Sequence, residues 1–530
     1  MAYQAVTSSR LVPGGIGSAL ALLLATMTIP AQALTPCEVQ QLQWEAVGQN
    51  FDPSQTHTPG ASPRPVSNDR VQVRWWPNAD YAELRWDMHT LYPFAAELSY
   101  FEQLSAERSV VSGKDGFRSS GGTVSEARRA ARVSGLWLRT PLLWPGETAG
   151  LSREITLGGT RWQLGIARNG SGPPGAPVPL VAESRQYDWP KGSVVHQLKY
   201  SRWQEINGLS MPTQIEWRLD GALLRRERLQ AIAVTRAEAE ACAAPSRPAL
   251  AQPPAWSRAA DHWVRRRLAM GAGAIADQTA NIRLETVGEG VYHVVGGSHH
   301  ALLIESESGL TLVDAPLYPA RSDRLLRLLS ERFPDKPLRR VIVTHHHNDH
   351  SGGLLPLLQG KVELVVGAEG KAFFQAVMQR VGEDAVIALT TVSDRSELMV
   401  DERRLQIVNI PNSHAAGMLA VRVDDLALTY VADLYSPGRD AQSPVLAREF
   451  HQAMAWHGLA HGSLIGAHGK GVEPWSKLVD WLGSVHPAWS VPKIAPQQAP
   501  KSVDDAASAD AEDVPAGADA LPPDDRPSKP

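Results

Sequence analysis

The sequence predicts an α+β protein in which a β-rich domain precedes a sandwich of two sheets with outer helices. Between about residues 38 and 238, short apolar–polar alternations recur, as in Val71–Trp75 and Ile215–Leu219. This pattern is typical of strands with one buried face. From about residue 282 to residue 489, strands and amphipathic helices interleave, and several strands follow one another as hairpins. Elements in this order pack as layers around a core.

Changes in composition divide the chain of 530 residues into segments. Residues 243–281 combine a Pro/Ala-rich linker with a helical apolar pattern, and separate a β-rich accessory domain at 34–242 from a second domain at 282–489. Residues 490–530 contain no aromatic residue, and their excess of four acidic side chains accounts for the formal net charge of -4. We predict a disordered, acidic, Pro/Ala-rich tail there.

The N-terminus has the features of an export signal. Arg10 precedes the mostly apolar stretch Ile16–Ile29, and Ala31-Gln32-Ala33 places small residues around a cleavage point. The apolar stretch is short for a bilayer, which argues against a membrane anchor. We therefore expect residues 1–33 to be a signal peptide cleaved near Ala33, and a soluble mature protein that is periplasmic or secreted.

The chain has two cysteines, Cys37 and Cys242, near the two ends of the β-rich domain. In an oxidising compartment such a pair forms a disulfide, whereas the alternative is two unpaired buried thiols. A bridge closing a loop of about 200 residues would contribute roughly 4–5 kcal/mol in the chain-entropy model. We predict the Cys37–Cys242 disulfide.

Composition also limits the partners. Hydrophobic residues make up 43% of the chain and charged residues 20%, as in ordinary globular proteins. The chain has no basic excess of the kind that marks nucleic-acid binders, and no apolar run of spanning length follows the signal. We expect a small-molecule substrate, no nucleic acid and no membrane-spanning segment. The sequence leaves protein partners open.

Residues 344–353 concentrate groups that bind metals. The apolar run Val341–Val343 leads into them, which predicts a buried strand that ends in a ligand loop. A His-x-His-x-Asp-His pattern follows, formed by His345, His347, Asp349 and His350. Imidazole and carboxylate are ligands that zinc accepts. A His-rich surface turn is the alternative, but further candidate ligands occur downstream at His414, Asp433 and His468.

Together these motifs resemble the metallo-β-lactamase superfamily, whose fold is an αββα sandwich with a metal site at one sheet edge. The resemblance covers roughly 200 residues of the second domain, so it implies a C-terminal αββα metallo-β-lactamase sandwich preceded by a β-rich domain. The matching elements follow the family's order: Asp314 after Leu312-Val313, the His345–His350 pattern, His414, Asp433 and His468.

The resemblance implies a zinc-dependent metallo-hydrolase with two Zn²⁺ ions per chain, and Fe or Mn are the alternatives. Seven side chains would bind the ions: His345, His347 and His414 the first, Asp349, His350 and His468 the second, with Asp433 bridging them. A metal-bridging hydroxide would then hydrolyse an ester-, lactone-, amide- or β-lactam-like bond. Asp349 would be the catalytic residue that orients the hydroxide and moves its proton.

Two alternatives stay open. The segment Ala432–Gly438 is similar to an Ala-Asp-Ser segment of some class B β-lactamases, which would make the protein a β-lactamase proper and Asp433 a neighbour of the metals. The segment Asn207–Thr213 resembles the half-barrel domains of periplasmic lipoprotein carriers. That resemblance implies a periplasmic protein that binds a lipid or envelope component and carries an inactive metallo-β-lactamase domain.

Other histidines and one charged segment are interpreted as structural or solvated rather than as part of the metal site. His346 occupies an x position of the motif, which predicts an outward-facing side chain or an outer neighbour of the ligands. His299 and His300 are interpreted as structural polar residues in preference to the edge of a pocket. His457 and His461 have i, i+4 spacing on a predicted helix, typical of a packed or solvated face. Arg118–Arg132 carries much charge, which predicts a solvated loop or a short helix.

Overall fold

A computed structural model of the chain describes most of the two predicted domains. The described residues are 34–92, 96–105, 109–114, 122–123, 126–144, 153–157, 159–166, 180–188, 192–237, 281–381, 386–439 and 442–485. The signal peptide, the tail at 490–530, nearly all of residues 243–281, and Cys242 lie outside them. The cleavage point, the domain boundaries and the Cys37–Cys242 disulfide therefore stay predictions.

The N-terminal domain is built on one antiparallel sheet, which in the described part has twelve strands. Their spatial order is β6-β5-β4-β3-β2-β1-β12-β11-β10-β9-β8-β7, so the sheet curls into a half-barrel with β6 and β7 at its open edges. The strands are β1 (Val39–Asp52), β2 (Arg64–Trp76), β3 (Tyr81–Thr90), β4 (Ala96–Leu104), β5 (Ser109–Lys114), β6 (Gly122–Thr123), β7 (Arg153–Leu157), β8 (Thr160–Ile166), β9 (Leu180–Asp188), β10 (Gly192–Ile206), β11 (Leu209–Leu219) and β12 (Ala222–Arg236).

A helix, α1 (Glu126–Arg139), packs on the apolar face of this sheet. The short-helix alternative for Arg118–Arg132 therefore holds in its described part, but solvation does not hold for Arg132. Arg132 is buried and its Nε lies 3.1 Å from Glu102 of β4. Trp137 packs edge-on against Trp75, with ring centroids 5.0 Å apart. Arg132 and Arg139 enter the core because buried carboxylates on the sheet compensate their charge.

Two sheets make up the C-terminal domain. The first runs in the order β13 (Arg283–Gly288), β14 (Val291–Val295), β15 (Ala301–Glu305), β16 (Leu310–Val313), β17 (Leu338–Ile342), β18 (Lys361–Gly367), β19 (Val386–Val392). The second runs in the order β20 (Arg395–Val400), β21 (Arg403–Ile410), β22 (Met418–Val423), β23 (Leu428–Val431), β24 (Ser463–Gly466), β25 (Val472–Pro474). Strands β16 to β19 are parallel, as are β23 and β24.

Helices cover the outer face of each sheet, which gives the predicted αββα order. On the first sheet lie α2 (Pro319–Arg332), α3 (Asn348–Ser351), α4 (Leu354–Leu357) and α5 (Lys371–Met378), and on the second lie α6 (Pro444–Trp456) and α7 (Trp475–Val485). One apolar core lies between each sheet and its helices. Another joins the two facing sheets, with Val313, Ile342 and Tyr430 among its fully buried residues. Strands such as β16 and β22 are buried along their whole length because both faces are covered.

This topology brings separate sequence motifs to one end of the sandwich. Because β16 and β17 are parallel, Asp314 and the loop that starts at Thr344 emerge at the same sheet edge. In the second sheet β23 and β24 are parallel, so Asp433 and His468, which follow them, also emerge at one sheet edge. Among the helices of the described residues, none has the length and apolar character needed to cross a bilayer.

Candidate metal centre

The predicted ligand loop is fixed to the sheet by a buried aspartate. Asp314 follows β16 with a φ of 69°, a left-handed conformation that is uncommon outside glycine. Its Oδ1 accepts the backbone N–H of Thr344 at 2.8 Å, and its Oδ2 accepts the Tyr430 hydroxyl at 3.0 Å. The same Oδ2 lies 3.1 Å from His350 Nδ1. This contact directs the opposite ring nitrogen of His350 into the site.

Three histidines present unpaired ring nitrogens to one point. His345, His347 and His414 are buried, and His345 Nε2, His347 Nδ1 and His414 Nε2 have no hydrogen-bond partner. With a carboxylate oxygen of Asp433, one ligand atom from each residue lies within 4.8 Å of the others. Buried nitrogen atoms without a hydrogen-bond partner are costly, whereas converging lone pairs are what a metal ion requires.

Asp433 lies at the centre of the cluster. Its backbone has a φ of 46°, and its side chain is 11% exposed. Its Oδ2 lies 3.0 Å from His414 Nε2 and 3.6 Å from His345 Nε2. Its Oδ1 lies 2.7 Å from His468 Nε2 and 3.1 Å from His350 Nε2. Each carboxylate oxygen thus faces a different pair of histidines, so Asp433 lies between the two predicted ligand sets.

Charge and burial set the protonation of these groups. Burial raises the pKa of Asp433, but the charges of His350 and His468 outweigh it and hold this pKa well below its usual range. Burial, together with the nearby His350, lowers the pKa of His345 to about 4. Burial, with His345 and His414 adding to it, also holds the pKa of His347 well below its usual value. His345 and His347 are therefore neutral at pH 7, which is the form in which an imidazole binds a metal ion.

The second predicted ligand set is brought together with one addition. Asp349, His350 and Asp433 form one group with ligand atoms within 4.8 Å, and His299, His350 and His468 form another. His299 is fully buried, and its Nε2 lies 3.2 Å from Asp349 Oδ2. Its ring packs edge-on against that of His468, with centroids 4.2 Å apart. The structure therefore brings all seven predicted ligands to one end of the sandwich and places His299 among them.

The interpretation of His299 as a structural polar residue missed its place in this centre. It follows β14 in the turn that contains Gly296 and Gly297, and this turn lies at the same sheet edge as the ligand loop. A histidine just beyond a buried strand was the available sequence signal. His300, by contrast, places its Nε2 3.2 Å from the Gly469 carbonyl, as expected of a structural residue.

The remaining histidines lie outside the ligand groups. His346 is buried against Phe373, with ring centroids 5.6 Å apart, so it does not face outward. The helix predicted to carry His457 and His461 is wrong, because α6 ends at Trp456. His457 lies 3.4 Å from Asp394, and His461 Nε2 lies 2.9 Å from Arg422.

Comparison with known proteins agrees with this geometry. Residues 294–444 match the family model described as "Metallo-beta-lactamase superfamily". The C-terminal domain belongs to the metallo-β-lactamase superfamily. The matched region contains the His345–His350 motif, His414 and Asp433, whereas His468 follows it.

Individual relatives are distant. The chain is 26% identical over 149 residues to the 2,4-dinitroanisole O-demethylase subunit alpha of Nocardioides sp. (strain JS1661), a match that covers 28% of this chain and 44% of that protein. A metallo-beta-lactamase from Pontibacter korlensis shares 16% identity at a TM-score of 0.30, over 38% of this chain and 98% of its own. A flavo di-iron protein mutant from Thermotoga maritima shares 15% identity at a TM-score of 0.31, over 39% of this chain and 62% of its own.

Proposed function

We propose that this protein is a zinc-dependent metallo-hydrolase that binds two Zn²⁺ ions and cleaves an ester-, lactone-, amide- or β-lactam-like bond in a small molecule. The observation that carries the proposal is the convergence of three buried histidines on Asp433, with one ring nitrogen of each and a carboxylate oxygen all within 4.8 Å of one another. Five histidines and two carboxylates suit a borderline divalent ion, and Fe or Mn would accept a similar set.

The chain's own residues would divide the work of the reaction. His345, His347 and His414 would hold one ion, Asp349, His350 and His468 the other, and Asp433 both. Bound zinc supplies Lewis acidity, which polarises the scissile group and lowers the pKa of water to about 7. The Asp349 carboxylate would take the proton released in the attack and pass it to the leaving group. His299, whose Nε2 lies 3.2 Å from Asp349 Oδ2, would hold that carboxylate in place.

Two observations weigh against the alternative of a lipid-binding protein with an inactive C-terminal domain. All seven predicted ligands are present and clustered, whereas an inactive domain has no need to keep them. In addition, within the described residues the cavity between α1 and the half-barrel is about 20 Å³, which is room for about one water. Trp44, Trp86 and Leu136 fill the space around it. The larger open cleft of the same domain, about 590 Å³, is lined largely by polar residues such as Asn68, Asp69 and Arg226.

The function can be tested on the full chain. Metal analysis after dialysis should find two metal ions per chain. The same preparation should turn over at least one of a β-lactam, a lactone, a phosphodiester, a thioester and an aryl ether. The aryl ether is 2,4-dinitroanisole, which is included because the Nocardioides relative is named as a 2,4-dinitroanisole O-demethylase subunit. Turnover of the β-lactam alone would identify a β-lactamase proper. Two bound metals with no turnover of any substrate would instead support the binding protein.

A further inference from the structure

The hairpin loop between β1 and β2 of the N-terminal domain reaches into the metal centre of the C-terminal domain. Gln55 and Thr56 are each only 3% exposed. Gln55 Nε2 donates to Asp349 Oδ1 at 2.6 Å, across 294 residues of sequence. The Thr56 carbonyl oxygen lies 2.9 Å from His347 Nε2. Two predicted metal ligands therefore find partners in the other domain.

The contact with Thr56 decides which nitrogen of His347 is available. A carbonyl oxygen only accepts hydrogen bonds, so Nε2 must carry the ring proton and Nδ1 must carry the lone pair. His347 Nδ1 is the buried nitrogen without a hydrogen-bond partner that faces the candidate centre. The hairpin backbone thus selects the tautomer in which His347 can bind a metal.

The same loop spans both ligand loops of the C-terminal domain. His57 Nε2 lies 3.1 Å from the Asn412 carbonyl, and the His57 carbonyl accepts the backbone N–H of Ala416 at 2.8 Å. These contacts flank His414. Tyr92, which follows β3 beside the hairpin, stacks on the His414 ring with centroids 6.3 Å apart.

A buried polar network holds the base of the hairpin. Arg225 Nη1 donates to Asp69 Oδ2 at 2.6 Å and to Asn50 Oδ1 at 2.7 Å. At the start of the loop, Asp52 Oδ1 accepts the Ser54 N–H at 2.8 Å. The loop is therefore built on a fixed support, which is what an orienting group for a metal ligand needs.

We propose that the β1–β2 hairpin is part of the metal centre, in which Gln55 and the Thr56 carbonyl position Asp349 and His347 for metal binding across the domain interface. This inference rests on the proposed metallo-hydrolase function. Gln55 is a positioning residue, because it contacts a ligand and acts through it. The metal affinity of the C-terminal domain then depends on the N-terminal domain.

Zinc affinity of the full chain tests the role of Gln55. The variant Gln55→Met keeps the side-chain length but removes the amide donor, and it should weaken Zn²⁺ binding about 10- to 100-fold in competition with a chromophoric chelator, as loss of an outer partner of a ligand does. Gln72→Ala, on an exposed position of β2, is the control and should bind Zn²⁺ as the wild type does. Equal or tighter binding by Gln55→Met would overturn the inference.

Hydrogen exchange gives an independent readout that needs no substitution. Because coupling between two sites is reciprocal, Zn²⁺ added to the metal-free chain should slow amide exchange in residues 54–58. The Asp220-Gly221 turn of the same domain should exchange at an unchanged rate. Unchanged exchange in the hairpin while the wild type binds Zn²⁺ would overturn this inference alone. A wild-type chain that binds no metal would overturn the proposed function as well.

Discussion

At the scale of single residues, the candidate centre depends on which atom of each side chain is left unpaired. Asp314 contacts His350 Nδ1, and the Thr56 carbonyl contacts His347 Nε2, so that the opposite nitrogen of each ring faces Asp433 or its neighbours. The outer partners are therefore as much a part of the centre as the ligands.

Asp349 is the residue on which the proposed catalysis can be tested most directly. Asp349→Ala should reduce turnover at least 100-fold, because it removes both a metal ligand and the group that moves the proton. Its far-ultraviolet circular dichroism should match that of the wild type. Asp335→Ala, at an exposed position, is the matched control and should keep full activity. Wild-type turnover by Asp349→Ala would exclude the proposed mechanism.

His196, a buried histidine far from the candidate ligands in sequence, should make the folding stability of the chain depend on pH. His196 Nδ1 accepts the Trp217 Nε1–H at 3.0 Å, and burial lowers the pKa of His196 to about 4. The unfolded chain takes up this proton near pH 6.5, so the contribution of His196 is complete above pH 6.5 and is lost as the pH falls toward 4. The loss is on the order of 3 kcal/mol.

Thermal unfolding followed by tryptophan fluorescence between pH 7 and pH 4 measures this effect. His196→Asn keeps a hydrogen-bond acceptor near the Nδ1 position but does not titrate, so its midpoint should fall less steeply with acid than that of the wild type. His89→Asn, at a half-exposed position of β3, serves as the control. Identical slopes for wild type and His196→Asn would contradict the assignment.

At the scale of elements, the ligand loop is confined by close backbone packing. A Cβ at Gly352 would lie 2.2 Å from the Leu317 carbonyl oxygen and 2.4 Å from that of Asn348. Gly352→Ala should therefore destabilise the fold by about 1–3 kcal/mol and displace α3, which carries Asp349 and His350. Lower Zn²⁺ occupancy and a lower unfolding midpoint would be the measured results.

Gly483 in α7 provides the control for this substitution. A Cβ there meets no atom within 4 Å, so Gly483→Ala should leave Zn²⁺ occupancy unchanged and stabilise the helix by up to about 1 kcal/mol. If both variants behave alike, the ligand loop is not confined in the way that the geometry indicates.

Helix α1 buries arginines that its sequence pattern would place in solvent. The charge density of Arg118–Arg132 predicts a solvated loop or a short helix, yet Arg132 is buried beside Glu102, and Arg139 Nη2 donates to Glu227 Oε2 at 2.8 Å. The compensating carboxylates lie on β4 and β12, far from the helix in sequence. Only the assembled sheet removes the cost of burying these charges.

At the scale of the whole molecule, metal binding should stabilise the chain. A ligand that binds only the folded state contributes about 2.7 kcal/mol when its free concentration is 100 times its dissociation constant. Removal of metal with a chelator should therefore lower the unfolding midpoint measured by calorimetry, and Zn²⁺ should restore it. A variant with His345→Ala and His414→Ala should lose this response. The same response in that variant would place the stabilising metal elsewhere.

In the sequence by itself, the pattern of strands and helices indicated a two-sheet sandwich with outer helices, because apolar periodicity is a local property of the chain. The resemblance to the metallo-β-lactamase superfamily supplied the αββα class and the seven candidate ligands, whose motifs lie beside short apolar strands. The β-rich character of the N-terminal domain was likewise readable from alternation.

Tertiary structure alone decided how the centre is completed. The place of His299 beside Asp349, the central position of Asp433 and the insertion of Gln55 depend on elements that are distant in sequence. Gln55 and Thr56 lie in an ordinary polar hairpin loop, and nothing in their local pattern marks them. Their contacts arise because packing brings that loop against the ligand loops, and no period or motif encodes such a contact.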